Sequence, residues 1–230
     1  MAKKIVAIIP ARGGSKGIPK KNLLDLLGKP LLCHSIEQAL GSKFDIDVFV
    51  SSDSKEILDV ATEYGANTIQ RPVELSADES TSESAIVHFL QTLDPYVPDI
   101  VVFLQATSPL RSSDDIDKAI ECFMDGNYDS LFSSVDLEDI FIWKNRNKLE
   151  SINYDYKNRK RRQDIDPDYY IENGSIYIFK PDILLTNNNR LGGKIGTYVM
   201  DSSKLLEIDT YDDYLLCKSY MEMKNDKNEK

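Results

Sequence analysis

Cysteine and histidine are scarce in this chain of 230 residues, which has three of the first and two of the second. Cys33, Cys122 and Cys217 are odd in number and far apart, which excludes a disulfide framework and a paired-thiol metal site. His34 and His88 stand alone, so all five residues are read as packing or surface positions. No apolar run is long enough to cross a bilayer, and the N-terminus lacks a signal-type apolar core. A cytoplasmic chain with no membrane partner is expected. Positive charge is also short, with 28 Lys and Arg against 38 Asp and Glu and a net charge of −10. That balance argues against a general binder of nucleic acid or of an anionic surface, so an anionic ligand requires a local cationic site. What remains is ordinary for a soluble protein: 41% hydrophobic and 29% charged residues, in a length that suits one α/β domain with a sizeable core.

The opening segment supplies such a cationic site. Lys4 to Ile9 is rich in Ile and Val with little alternation, the pattern of a strand buried on both faces of a parallel sheet. It runs into Pro10-Ala11-Arg12-Gly13-Gly14-Ser15-Lys16-Gly17-Ile18-Pro19-Lys20-Lys21-Asn22, at the strand end where open α/β sheets bind ligands. Gly13, Gly14 and Gly17 allow close backbone approach, and their amides can face phosphate oxygens. Arg12, Lys16, Lys20 and Lys21 mix forked and point-like cations, a set suited to a triphosphate. The spacing fits neither the P-loop nor the dinucleotide fingerprint. The plain alternative is a glycine-rich turn carrying exposed lysines.

Further on, apolar strands are expected at Asp47 to Ser52, Asn67 to Gln70, Ile100 to Leu104, Ser130 to Val135 and Tyr170 to Phe179. Helices are expected from Pro30 to about Leu40, from Asp53 to Tyr64, over Ser84 to Leu93, over Asp114 to Met124 and over Tyr211 to Met223. Asp53 with Glu56 reads as a capping-box pair rather than as a metal ligand, and Ser112 or Ser113 caps the fourth helix. The alternation predicts an α/β fold with a mostly parallel sheet and helices on both faces. It is interrupted by a basic excursion over residues 136–170, which is either a solvated arm or a nucleic-acid patch on its own chemistry. Near the end, Glu207 and Asp209 flank Ile208; in an extended segment both carboxylates face one side and can hold Mg²⁺. The competing reading is that Asp209 or Thr210 caps the last helix.

Three separated motifs carry a resemblance. Pro10-Ala11-Arg12-Gly13-Gly14-Ser15-Lys16-Gly17 with Lys21-Asn22, then Arg71-Pro72-Val73-Glu74-Leu75 with Asp78 and Ser82, then Gln105-Ala106-Thr107-Ser108-Pro109-Leu110-Arg111 resemble the CMP-sialic acid synthetases, or acylneuraminate cytidylyltransferases. Asn173-Gly174-Ser175-Ile176-Tyr177 resembles that family's Asn-Gly-x-x-Tyr strand.

The resemblance implies a nucleotide-diphospho-sugar transferase fold, Rossmann-like, built from residues 1–135 and 171–224. Residues 136–170 would form an arm that crosses to the partner of a homodimer, and residues 225–230 a flexible tail. It implies an enzyme that joins CTP to a nonulosonic acid by direct displacement at the α-phosphate, releasing pyrophosphate. Arg12, Lys16, Lys21 and Asp209 would be catalytic, and Ala11, Arg12, Gly13, Ser15, Asn22, Arg71 and Ser82 would hold the nucleotide. Gln105, Arg162 and Tyr177 would face the sugar, with Asp209 and Glu207 on Mg²⁺. The family usually has Asp where this chain has Glu207, and some members carry Arg near positions where Ile171 and Glu172 stand. Losing that sugar-facing cation keeps legionaminic and pseudaminic acids open beside N-acetylneuraminate. Transfer to the eight-carbon acid KDO or another sugar, and a non-catalytic nucleotide binder, are the alternatives.

Overall fold

The computed structural model describes residues 3–137, 140–161, 164 and 169–228, with side chains as far as Lys224. In chain order the elements are β1 (Ile5–Pro10), a small hairpin of β2 (Asp25–Leu26) and β3 (Lys29–Pro30), α1 (Leu31–Leu40), β4 (Ile46–Ser52), α2 (Lys55–Glu63) and β5 (Asn67–Gln70). Then come α3 (Ser82–Thr92), β6 (Ile100–Leu104), α4 (Ser113–Asp125) and β7 (Ser130–Asp136). A ribbon of β8 (Trp143–Asn145) and β9 (Leu149–Ser151) precedes β10 (Tyr170–Phe179), α5 (Pro181–Asn187), β11 (Ile195–Val199) and α6 (Tyr211–Asn228).

Seven strands form one sheet in the order β11-β7-β10-β6-β1-β4-β5. β1 pairs in parallel with β4 and β6, β4 with β5, and β7 with β11, as the apolar runs require. Only β10 is reversed, antiparallel to both β6 and β7. The sheet is covered on both faces. Ile5, Ala7, Ile9, Val48, Val50 and Val102 pack with Leu32 and Ile36 of α1 and Ile116 and Ile120 of α4. The alternate residues Val6, Ile8, Val101 and Phe103 pack with Ile86 and Phe89 of α3 and Leu184 of α5.

A third, smaller cluster decides where the site forms. Ile18 of the opening loop, Leu26 and Leu31 by the hairpin, Leu110, Ile208, and Tyr214 and Cys217 of α6 are buried together. Full burial of an aliphatic side chain is worth about 1.5–3 kcal/mol, so Ile18 and Ile208 draw two segments from opposite ends of the chain into contact.

The expected strands are all present, and α3 begins two residues earlier than expected, at Ser82. Short α5 and edge strand β11 were not expected; β11 is partly exposed and lacks a strong apolar run. α6 continues to Asn228, five residues past the expected end. Burial pushes the Cys33 thiol up to about 12 and that of Cys217 to about 11, and His34 sits buried with Nε2 2.9 Å from the Leu26 carbonyl. These three are packing residues.

In the excursion, Trp143 of β8 meets Tyr154 edge-on and Tyr156 at a tilt, and Phe141 tilts against Tyr154. Trp143 is 42% and Tyr156 55% exposed, an apolar surface that a lone chain leaves in water.

Candidate active site

The loop after β1 and the segment before α6 meet over the third cluster. Gly17 lies against the backbone of Asp209: a Cβ placed on Gly17 would sit 2.2 Å from the Asp209 carbonyl oxygen. Lys20 adopts a left-handed conformation (φ 51°), which starts the short 3-10 turn Lys21–Leu23. Lys21, with its side chain 14% exposed, donates to Asp209 Oδ1 at 2.8 Å and to the Ile208 carbonyl at 2.9 Å. Lys20 itself pairs with Glu56 at 2.7 Å, away from the other cations.

The close approach gives a contrast between two neighbouring glycines. Gly17→Ala forces the Asp209 segment to shift, which costs about 1–3 kcal/mol and lowers the unfolding midpoint by several degrees. Gly14→Ala meets nothing within 4 Å and leaves the midpoint near that of the parent chain. Thermal unfolding of the two proteins side by side measures the difference.

A cleft of about 450 Å³ opens over this junction. Arg12, Ser15, Lys16, Lys21, Asn22, Arg71, Ser82, Gln105 and Asp209 all line it, so most of the residues named from sequence converge. Asn22 is buried and donates Nδ2 to the Arg12 carbonyl at 3.0 Å, fixing the loop's start. Arg71, 4% exposed, donates Nε to Ser76 Oγ at 2.8 Å, and burial lowers its basicity. Ser82 opens α3 directly after its cap, Thr81, whose side chain accepts from the Ser84 amide.

Several residues stand elsewhere. Ala11 is buried below the cleft, its amide on the Ser51 carbonyl at 2.9 Å. The Gly13 amide is taken by Asp53 Oδ1 at 2.9 Å, so it does not face a ligand in this structure. The same bond corrects the expected role of Asp53: Ser54 occupies the N-cap position of α2 without a side-chain cap bond, and Asp53 braces the loop. Tyr177 is 3% exposed, stacked on Phe103 with its hydroxyl donating to Glu172. Its ring forms the floor under Phe103, which lines the cleft. Arg162 lies outside the described residues.

Glu207 sits just behind the lining. Thr107 donates Oγ1 to Glu207 Oε1 at 2.5 Å, while its carbonyl accepts from the Ile208 amide at 2.8 Å, joining this segment to the end of β6. Burial raises the Glu207 carboxyl above the usual carboxylate range, and the charge of Asp209 adds to the effect. Gly174 makes room for the acid. It has φ +68° in an irregular stretch of β10, and a Cβ there would lie 2.6 Å from Gln105 Nε2 and 3.4 Å from Glu207 Oε2. Thr210 and Asp213 cap α6 between themselves, since Asp213 Oδ2 accepts from the Asp209 and Thr210 amides. The Asp209 carboxylate is therefore left to the cleft, 69% exposed.

Among the described residues no group of three or more His, Cys, Asp or Glu forms a ready-made metal cage. A hard divalent ion that takes one or two carboxylates and fills the rest of its shell with phosphate oxygens and water fits Asp209 and Glu207.

Three functional features escaped sequence reasoning. Asp78 bridges the two loop cations, with Arg12 Nη1 on Oδ1 at 2.9 Å and Lys16 Nζ on Oδ2 at 3.1 Å. Thr107 holds Glu207. Arg190 pairs with Glu83 at 2.7 Å and lies over the rings of Tyr177 and Phe103, 4.1 and 5.2 Å from their centroids. Asp78 and Thr107 stand inside legible motifs, yet their partners are distant in sequence; Arg190 has no local signal.

Known proteins resemble this chain in sequence and in fold. The family model described as "Cytidylyltransferase" matches residues 6–216. The chain is 36% identical over 217 residues to an N-acylneuraminate cytidylyltransferase of Streptococcus agalactiae serotype III, covering 92% of this chain and 52% of that protein. It thus spans about half the length of that relative. It is 34% identical over 223 residues to a pseudaminic acid cytidylyltransferase of Campylobacter jejuni serotype O:2, covering 94% of this chain and 95% of the other. The solved structure of CMP:2-keto-3-deoxy-manno-octonic acid synthetase complexed with CTP superposes with a TM-score of 0.69 at 17% identity, over 96% of this chain and 99% of that one. At that identity the match speaks for a shared fold, that of the nucleotide-diphospho-sugar transferases.

Proposed function

The chain belongs to the cytidylyltransferase family, and from that premise we propose that it activates a nonulosonic acid with CTP, giving a CMP-sugar and pyrophosphate. The observation that carries this reading is the meeting of Gly17 and Lys21 with Asp209 at the floor of a cleft also lined by Arg12, Lys16 and Arg71. Four cations facing two acids leave a net positive site in an acidic protein, as a triphosphate requires.

In the mechanism, the anomeric hydroxyl of the sugar acid attacks the α-phosphorus and gives its proton to solvent, while the bond from the α-phosphorus to the bridging oxygen breaks and pyrophosphate leaves in line. The protein's part is to position the reactants and to neutralise charge. Arg12 and Lys16 grip the leaving phosphates, and Lys21, held rigid by Ile208 and Asp209, faces the charge that develops at the reacting phosphorus. Asn22, Arg71 and Ser82 hold the nucleoside, and Gln105 with the Phe103–Tyr177 floor faces the sugar. Mg²⁺ on Asp209 and Glu207 would supply further charge neutralisation for the phosphates. The exposed aromatics of the 136–170 excursion suit a second copy of the chain, making a homodimer the assembly in which the enzyme acts. We place it in the cytoplasm, where CTP is supplied; no helix among the described residues is long and apolar enough to cross a membrane.

The test is incubation with CTP, Mg²⁺ and a panel of N-acetylneuraminic, legionaminic and pseudaminic acids and KDO, with products read by mass spectrometry. A CMP-sugar from one or more nine-carbon acids, with stoichiometric pyrophosphate, is expected. Product from KDO alone, or from none of them, removes the proposal.

A further inference from the structure

Asp78 stands in the cleft against two of its cations. One carboxylate accepts from both Arg12 and Lys16, at 2.9 and 3.1 Å, and all three residues line the cleft. Arg12 Nη1 also reaches the Ala77 carbonyl at 3.4 Å, so its guanidinium is docked on this turn by two contacts. The turn is built to present the acid. The Ser80 amide bonds the Ala77 carbonyl, the Ser80 hydroxyl bonds the Glu74 carbonyl, and Ser76 Oγ is held by buried Arg71, so Asp78 stands at the tip of a braced loop. Its carboxyl is held below the usual range, first by the Lys16 hydrogen bond, so the charge is present at neutral pH.

Asp78 engages Nη1 of Arg12 and the ammonium of Lys16, so a phosphate gripped by the same two cations comes up against its negative charge. A carboxylate and a phosphate cannot share them without bringing like charges together. Asp78 is 53% exposed and can turn its carboxylate into water when displaced.

We propose that Asp78 is a built-in anionic placeholder, which keeps the phosphate-binding cations paired and ordered in the empty cleft and is displaced by polyphosphate. The idea rests on the reading of the cleft as a triphosphate site. Its consequence is selectivity by charge: a polyphosphate outcompetes the acid, while a nucleoside monophosphate, with one phosphate to offer, does so poorly. Asp78 is on this account a positioning residue that weakens anion binding in general.

Calorimetric titration of the full chain with inorganic tripolyphosphate and with CMP separates the possibilities. Loss of Asp78 removes two partly exposed ion pairs that oppose binding, so Asp78→Asn should bind tripolyphosphate about fivefold more tightly than the parent. CMP should gain by a larger factor, and Asp78→Glu should keep parental values. A merely structural role predicts weaker or unchanged binding in Asp78→Asn at an unchanged unfolding midpoint, and that result overturns the placeholder while leaving the cleft's assignment intact. Failure of the parent itself to bind tripolyphosphate overturns both.

Discussion

Lys21→Ala is expected to lower kcat for CMP-sugar formation by about 10²- to 10³-fold while changing CTP affinity only severalfold. Arg12, Lys16 and Arg71 remain to hold the nucleotide, so ground-state binding survives the loss of one of the four cleft cations. Lys21 differs from them in being held: its amine is fixed by the Ile208 carbonyl and Asp209 Oδ1 at 2.9 and 2.8 Å, with little exposure. A fixed charge stabilises a transition state without reorganising, which is where the rate advantage of preorganisation lies. The ion pair itself contributes little to folding because Asp209 is largely exposed, so the variant should unfold near the parental temperature. Steady-state kinetics combined with calorimetric CTP binding read the two quantities separately. A raised KM at constant kcat would instead make Lys21 a simple binding cation.

Asp209→Asn is expected to be as damaging, by a different route. The substitution keeps the shape but removes the charge that makes this side chain a ligand for a hard cation, so activity falls about 10²-fold or more and saturating Mg²⁺ moves to higher concentration. Glu207→Gln should do less to the metal requirement. Its Oε1 is engaged with Thr107, and burial makes its carboxyl less acidic than an ordinary glutamate. Pyrophosphate release measured across a Mg²⁺ titration distinguishes them. An Asp209→Asn enzyme with an unchanged Mg²⁺ midpoint would place the metal on other groups.

Much of this was legible in the linear chain, because buried parallel strands announce themselves as runs of Ile and Val. Ile5–Pro10 and Ile100–Leu104 are such runs, and the polar motifs at their C-terminal ends lie on the ligand side, as the topology of an open sheet dictates. The edge strand Ile195–Val199 was not legible, since a buried Gly196 between exposed Ile195 and half-buried Thr197 and Tyr198 carries no apolar periodicity. Asp53 misled for a related reason. An acid ahead of a helix looks like a cap whether or not it turns to a loop 40 residues away, and here it serves the Gly13 amide. Asp78 shows the same limit, because a carboxylate's partner is set by the fold and not by its neighbours in sequence. In the doublet Glu207-Ile208-Asp209, Ile208 is buried as the alternation implied. The two carboxylates nevertheless differ: one is exposed on the cleft and the other is tucked against Thr107.

The reversal of β10 reaches beyond the sheet's arrangement. Because it runs against β7, Tyr170 lies directly opposite Asp136, and the chain between them departs from and returns to neighbouring rungs of one ladder. The ends of that appendage are already closed by the sheet, so its length and composition can change without disturbing the register of any core strand. It springs from the same rim as the end of β6, whose following residues Gln105, Ala106 and Thr107 line the cleft. Such an architecture separates two kinds of inheritance: the cleft is locked into the framework of core strands, while the excursion is an exchangeable fitting.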